Sequence, residues 1–329
     1  MQPRLTGRSL TTLKDYRPEE IEYLLELSIR LKKEKKSGQR LSRLEGRNIA
    51  LIFEKPSTRT RCAFVVAAND EGAHAEYLGK NDIQLGKKES VRDTARVLGR
   101  MFDGIEFRGY EQETVEELAS HAGVPVWNGL TDLFHPTQAL ADLMTVLEEK
   151  EVLKGIRMAY LGDGRSNMAN SLLIGGAKMG MDLRICSHED LLPGKEIIRL
   201  SEELALESGG RIDISSESLR AVENADVIYT DVWASMGEED LIAERISLLK
   251  PYRVTEEILE ATGNRDVIFL HCLPSFHNDM TVLARKYPDI CETTEGVFEG
   301  PHSRVFDQAE NRVHTIKAVM VATMCSGEI

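Results

Sequence analysis

Residues 48–61 read Asn-Ile-Ala-Leu-Ile-Phe-Glu-Lys-Pro-Ser-Thr-Arg-Thr-Arg, and Cys62-Ala63-Phe64-Val65-Val66-Ala67-Ala68 follow. The apolar run Asn48–Phe53 has the pattern of a buried strand, and the residues after it continue at helical spacing. Ser57 or Thr58 therefore stands where a helix begins. A helix start leaves backbone N–H groups unpaired and carries the positive end of the helix dipole. Hydroxyls of Ser57, Thr58 and Thr60 add donors there, and Arg59 and Arg61 add forked, permanent positive charge. A strand, a tight turn and a helix start so equipped make an anion site, most naturally for phosphate. A simple Ser-capped helix requires fewer hydroxyls and charges than this stretch supplies.

The same alternation continues outward. Strands are expected at Asn48–Phe53, His74–Leu78, Gly104–Arg108 and Val124–Asn128, with helices at Arg17–Lys35, Arg59–Glu71, Ser90–Met101 and Thr114–Ala122. A second series places strands at Ile156–Leu161, Asp182–Cys186, Val227–Thr230 and Val267–His271, with helices at Asn167–Lys178, Glu196–Ser208 and Thr255–Thr262. This predicts an α/β fold of two domains, each a parallel sheet flanked by helices. His135–Lys150 reads as one continuous helix at the boundary, which divides the chain into residues 1–147 and 148–309. A last helix within 310–329 is expected to fold back on the first domain. Ligands of open α/β sheets sit beyond the C-terminal strand ends, so an active-site cleft between the domains is expected.

Composition limits the function classes. A net charge of −13 over 329 residues leaves no basic surplus for nonspecific nucleic-acid binding. The basic run Arg30–Lys36 reads as a solvated helix end. The five cysteines Cys62, Cys186, Cys272, Cys291 and Cys325 form no framework, which fits a reducing compartment. No metal-type Cys-x-x-Cys or His-Glu-x-x-His spacing occurs, and no apolar stretch suits a bilayer. The residues after Met1 lack the apolar core of a signal peptide, so the expected location is cytoplasmic.

Further chemistry-bearing residues stand at expected strand ends. Arg108 ends one strand. His135-Pro136-Thr137-Gln138 opens the boundary helix, and Gln138 lies one turn beyond His135 on the same face, where both can donate to one small polar group. Asp142 can orient a neighbour. Leu161-Gly162-Asp163-Gly164-Arg165-Ser166-Asn167 resembles a dinucleotide turn, and Glu189 stands near the ribose-binding position. However, Asn167 replaces the third glycine, and Asp163 places an acid beside the pyrophosphate, which argues against a nicotinamide cofactor. Asn167 can instead meet a carboxylate. Asp231-Val232-Trp233-Ala234-Ser235-Met236-Gly237 combines an acid, a hydroxyl and a flexible glycine, which suits an ammonium-bearing ligand. Cys272 in His271-Cys272-Leu273-Pro274 is either a buried thiol or a nucleophile. The second role needs an activating base, for which His271 and His277 are near in sequence.

Taken in order, Ser57-Thr58-Arg59-Thr60-Arg61, His135-Pro136-Thr137-Gln138, Asp231 through Gly237 and His271-Cys272-Leu273-Pro274 resemble the motifs of the ornithine carbamoyltransferases over nearly the whole chain. The Ser-Met-Gly and His-Cys-Leu-Pro elements narrow the resemblance to the ornithine branch. Ser275 and Asn278 depart from the Ala and Asp of many relatives without changing that assignment. The resemblance implies transfer of a carbamoyl group from carbamoyl phosphate to the δ-amine of L-ornithine. It implies Ser57, Thr58, Arg59, Thr60 and Arg108 at the phosphate, with His135, Gln138 and Arg312 at the carbamoyl group. It further implies Gln84 on a loop that reaches a neighbouring subunit's site, Asn167, Asp231, Ser235 and Met236 at ornithine, and Cys272 and Leu273 beside the reacting amine and the carbamoyl amide. A homotrimer or an assembly of trimers, with no cofactor and no metal, is implied as well. A carbamoyltransferase for putrescine and a noncatalytic phosphate and amino-acid binder are the competing readings. The chemistry is consistent with direct attack: carbamoyl phosphate is already activated, so the amine has only to be neutral and aimed, with Arg59, His135 and Arg312 meeting the developing oxyanion.

Overall fold

The computed structural model describes residues 3–234 and 237–325. The chain divides into two compact units, Met1–Met144 with Glu310–Ile329, and Thr145–Ala309. Among the described residues, no helix is long and apolar enough to cross a membrane.

The first unit is built on strands β1 (Asn48–Phe53), β2 (His74–Gly79), β3 (Gly104–Arg108) and β4 (Val126–Leu130). Their order is β2-β1-β3-β4, all parallel. Ala50, Ile52, Ile105 and Phe107 pack with Ala95, Val115 and Leu118 of the helices Val91–Met101 and Gln112–His121. β4 starts at Val126 rather than Val124, because Pro125 has no N–H to give to a ladder. Between Phe107 and Arg108 the β3–β4 register shifts, so Arg108 pairs with Leu130. Such an irregularity re-aims the side chain that follows it. The helix Val305–Met324 belongs to this unit from Glu310 onward, with the buried Trp127 donating from Nε1 to Thr323 Oγ1 at 3.1 Å.

The second unit carries β5 (Arg157–Leu161), β6 (Asp182–Cys186), β7 (Arg211–Ser215), β8 (Val227–Thr230) and β9 (Ile268–His271). The order is β7-β6-β5-β8-β9, again parallel. β7 is not expected from the sequence. Its Arg-Ile-Asp-Ile-Ser run is short and half polar, as suits an edge strand that meets water. Helix Ile242–Leu249 is likewise unanticipated.

In both sheets the strand order reverses direction beside the first strand. In the first sheet the reversal lies between β1 and β3, and in the second between β5 and β8. The crevice at the carboxyl ends of such a pair is where open α/β sheets bind ligands. β1 leads into Ser57–Thr60 and β3 ends on Arg108; β5 leads into Gly162–Asn167 and β8 leads into Asp231.

Candidate functional site

In the first unit, helix Thr58–Asp70 is capped by Ser57, whose hydroxyl accepts from Thr60 N at 3.2 Å. The cap fixes the first turn and points the Thr60 hydroxyl inward, where the residue is fully buried. Two guanidiniums reach that hydroxyl: Arg312 donates from Nη2 at 2.9 Å and Arg108 from Nη1 at 3.4 Å. Arg312 also donates from Nη1 to Gln138 Oε1 at 2.9 Å, and Gln138 donates from Nε2 to Asp142 Oδ1 at 2.8 Å. Arg108, Thr60, Arg312, Gln138 and Asp142 thus form one connected and buried chain. Asp142 fixes the Gln138 amide, so that amide's oxygen faces Arg312.

His135 lies beside this chain and is also buried. Burial, followed by the positive fields of Arg312, Arg108 and Arg59, holds its imidazole well below the ordinary value of 6.5. His135 is therefore neutral near pH 7, and its ring N–H can donate to a carbonyl without first losing a charge. The Thr137 hydroxyl, which can donate or accept, lies 3.4 Å from Nδ1. Arg59 is half-buried and Thr58 is exposed on the first turn. Gln84 is exposed on the loop between Lys80 and Ser90, and its carbonyl accepts from Lys87 N at 3.0 Å.

Arg61 turns away from the buried Thr60 hydroxyl. It is exposed, and its guanidinium lies 3.9 Å from the centroid of the Tyr77 ring. Two residues along a helix is about 200° of rotation, so Arg59 and Arg61 face opposite ways.

Glu106, one position before the β3 irregularity, is missed by sequence reasoning. Its side chain is fully buried, and neither carboxyl oxygen has a hydrogen-bond partner among the described residues. Burial pushes its carboxyl well above the ordinary value of 4.5, against the opposing pull of Arg108 and Arg312. A side chain at Gly129 would collide with Glu106 Oε1, which accounts for glycine there. The signal was available: an acid inside the apolar run Gly-Ile-Glu-Phe-Arg is unusual for a strand buried along its whole length.

In the second unit, Cys272 Sγ lies 3.0 Å from Asp231 Oδ1, and the same oxygen accepts from Val232 N at 2.8 Å. Burial raises the Asp231 carboxyl above its ordinary range, against the lowering effects of His271, the Cys272 hydrogen bond and the Val232 N–H. The thiol therefore faces an acid. His271 turns instead to the buried Glu292, and His277 stacks on Phe298 with ring centroids 3.8 Å apart. Neither histidine takes the activating position that a nucleophilic Cys272 requires.

Asn167 opens the helix Asn167–Lys178 behind its Ser166 cap and is half-buried. Leu273 is also half-buried, with φ at 60°. Ser235 and Met236 lie outside the described residues. The residues flanking that loop are tied to the turn after β5: Arg245 meets Glu238 at 3.2 Å and Asp163 at 3.6 Å. Asp163, which argued against a dinucleotide, also accepts from Arg165 N at 2.9 Å and so organises its own turn.

Donor atoms of Asp231, His271 and Cys272 lie within 4.8 Å of one another. The acid and thiol are suitable metal ligands. The imidazole is not, because His271 Nδ1 accepts from Leu273 N at 2.9 Å and Nε2 faces Glu292 at 2.9 Å. No lone pair remains for an ion.

Comparison with known proteins gives a consistent result. The family model described as "Aspartate/ornithine carbamoyltransferase, carbamoyl-P binding domain" matches residues 8–148, and "Aspartate/ornithine carbamoyltransferase, Asp/Orn binding domain" matches residues 154–323. The catabolic ornithine carbamoyltransferase of Bacillus licheniformis is 61% identical over 325 residues, covering 97% of each chain. That of Streptococcus ratti is 56% identical over 323 residues, covering 97% of this chain and 96% of the other. The solved ornithine carbamoyltransferase of Pyrococcus furiosus superposes with a TM-score of 0.91 at 44% identity, covering 98% of each chain.

Proposed function

Since the chain belongs to the aspartate/ornithine carbamoyltransferase family, we propose that it transfers the carbamoyl group of carbamoyl phosphate to the δ-amine of L-ornithine, yielding L-citrulline and phosphate. The observation that carries the reading is the buried Thr60 hydroxyl shared by Arg108 and Arg312, with neutral His135 and the Asp142-fixed amide of Gln138 beside it. That arrangement fits a small dianion joined to a planar, neutral carbamoyl group. Ser57, Thr58, Arg59, Thr60 and Arg108 are assigned to the phosphate, and His135, Gln138 and Arg312 to the carbamoyl oxygen and amide.

The amine must shed its proton before it attacks, since a free alkyl ammonium has a pKa of about 10. Asp231 and Cys272 are assigned to holding and aiming it, with Asn167, Ser235 and Met236 at the amino-acid end and Leu273 at the carbamoyl amide. Attack places charge on the carbonyl oxygen, where Arg59, His135 and Arg312 act as preorganised donors; one such donor is worth roughly 3 kcal/mol. Phosphate then leaves toward Arg59 and Arg108. No covalent enzyme intermediate is needed, and Cys272 positions the amine without attacking.

In this reading residues 1–147, with the helix in 310–329, form the carbamoyl-phosphate domain, and 148–309 the ornithine domain. The exposed loop around Gln84 completes the site of a neighbouring subunit in a cytoplasmic homotrimer or an assembly of trimers. Citrulline formation from carbamoyl phosphate, with ornithine, putrescine and aspartate compared in parallel, tests the reaction. Ornithine is expected to exceed the others by at least about a hundredfold in kcat/KM, as a site built to hydrogen-bond a substrate group allows. Preference for putrescine, or binding without turnover, would select one of the competing readings. Light scattering paired with activity across dilution tests the shared site, which a fully active monomer would exclude.

A further inference from the structure

The buried pair His271–Glu292 serves no purpose in that mechanism, yet it is wired to the segment that carries Cys272. Both side chains have 0% exposure. His271 Nδ1 accepts the backbone N–H of Leu273 at 2.9 Å, so its lone pair is committed and the proton belongs on Nε2. Nε2–H then donates to Glu292 Oε1 at 2.9 Å. The same Oε1 accepts the backbone N–H of Phe276 at 2.7 Å. Two amides on either side of Pro274-Ser275 are thus held by one acid–imidazole pair.

The segment needs such a hold. Leu273 has φ at 60°, a left-handed conformation that a bulky L-residue adopts only when its surroundings over-determine it. Its neighbour Cys272 must keep Sγ at 3.0 Å from Asp231 Oδ1. The backbone of His271 is in turn anchored, because its N–H donates to Gln308 Oε1 at 2.9 Å. Glu292 Oε2 has no hydrogen-bond partner among the described residues. The acid is therefore buried at a cost that its one bonded oxygen has to offset.

We propose that Glu292 is a positioning residue for carbamoyl transfer: by accepting from His271 Nε2–H and Phe276 N–H, it fixes the imidazole tautomer and locks Leu273–Phe276, and so places Cys272 against Asp231. The arrangement works as an outer-shell carboxylate does behind a ligating histidine, where loss of the carboxylate typically costs 10–100-fold. The inference rests on the ornithine carbamoyltransferase reading.

The test compares Glu292→Gln, which keeps an oxygen acceptor at the same reach, with Glu292→Met, which keeps the volume and removes the acceptor. Glu292→Met is expected to lower kcat with ornithine at least thirtyfold, measured well below its melting temperature, while carbamoyl phosphate affinity stays within twofold. Glu292→Gln is expected to recover at least a fifth of the original kcat. A folded Glu292→Met enzyme with kcat within threefold of the original overturns the proposal, as does a Glu292→Gln enzyme no better than Glu292→Met. Long-range ¹H–¹⁵N correlation on the unsubstituted, ¹⁵N-histidine-labelled protein reads the tautomer independently of how the variants fold. An exchange-protected Nε2–H ring with a bare Nδ1 is expected, and its absence overturns the proposal. An unsubstituted enzyme that makes no citrulline would instead refute the functional reading and leave the tautomer result standing.

Discussion

Glu106→Gln isolates the electrostatic state of the buried carboxyl that faces the fields of Arg108 and Arg312. The native carboxyl is fully buried, lacks a hydrogen-bond partner among the described residues, and has its pKa pushed well above 4.5 by burial. Over the pH range above 4.5 the folded state keeps a proton that the unfolded chain has lost. The unfolded state then binds fewer protons, so stability falls as pH rises until the folded carboxyl itself ionises. The slope is at most slightly more than about 1 kcal/mol per pH unit, or up to about 4 kcal/mol between pH 5 and 8 if the proton is retained throughout. The amide copies the neutral acid in shape and cannot titrate. The stability of Glu106→Gln relative to the native protein should therefore grow with pH. Urea unfolding of both proteins at half-unit steps from pH 5 to 8 reads the difference directly. Parallel curves, diverging by less than about 0.5 kcal/mol, would refute a raised carboxyl pKa at this position. Inorganic phosphate should also bind the variant no more weakly than the native protein, because the amide never competes for Arg108 and Arg312.

Other substitutions separate the remaining roles. Arg59→Ala should cost about 2–4 kcal/mol of transition-state stabilisation, whereas Arg61→Ala, which removes only the contact with Tyr77, should leave carbamoyl phosphate kinetics within about twofold; equal losses in steady-state assays would show that both arginines meet the ligand. Cys272→Ser should retain measurable turnover, and acid-quenched native enzyme given carbamoyl phosphate alone should show no adduct by mass spectrometry; a carbamoyl-thioester consumed by ornithine at the catalytic rate would contradict direct attack. Gly104→Ala drives its new methyl into the buried Trp127 ring and should destabilise the first unit by about 1–3 kcal/mol in thermal or urea unfolding; an unchanged midpoint would mean the ring has room to move.

The strand, turn and helix of residues 48–70 were legible because each signal is local: an apolar run, a capping serine and a cluster of hydroxyls and arginines. The period of the helix was legible too, yet its phase decides that Arg59 and Arg61 diverge, and composition alone gave them the same role. Contacts that span the sequence left no such trace. Nothing near Thr60 announces that Arg312 will bond its hydroxyl, and the resemblance, not the spacing, brought Arg312 into the reading. Glu106 did leave a trace, as an acid within an apolar strand. Glu292 left none, since Cys-Glu-Thr-Thr reads as ordinary loop until His271 is found against it. β7 was missed for a different reason: an edge strand needs only half of an apolar pattern, and half a pattern is hard to distinguish from loop.

Arg312 also dates the site. The first unit is assembled from two stretches of chain, and all of the second unit is synthesised between them. As the polypeptide leaves the ribosome, the helix start from Ser57 to Thr60 and the boundary helix bearing Gln138 emerge early, while the guanidinium that joins them has yet to be made. The second unit is contiguous and can bury its core in the meantime, as domains generally do during synthesis. Closing the first unit then means bringing distant stretches together over a long intervening loop, at an entropic cost that grows only slowly with its length. A chain released before residue 312 lacks the guanidinium that unites Thr60 and Gln138. The bonds from Arg312 to Thr60 and Gln138 thus form only once synthesis has passed residue 312.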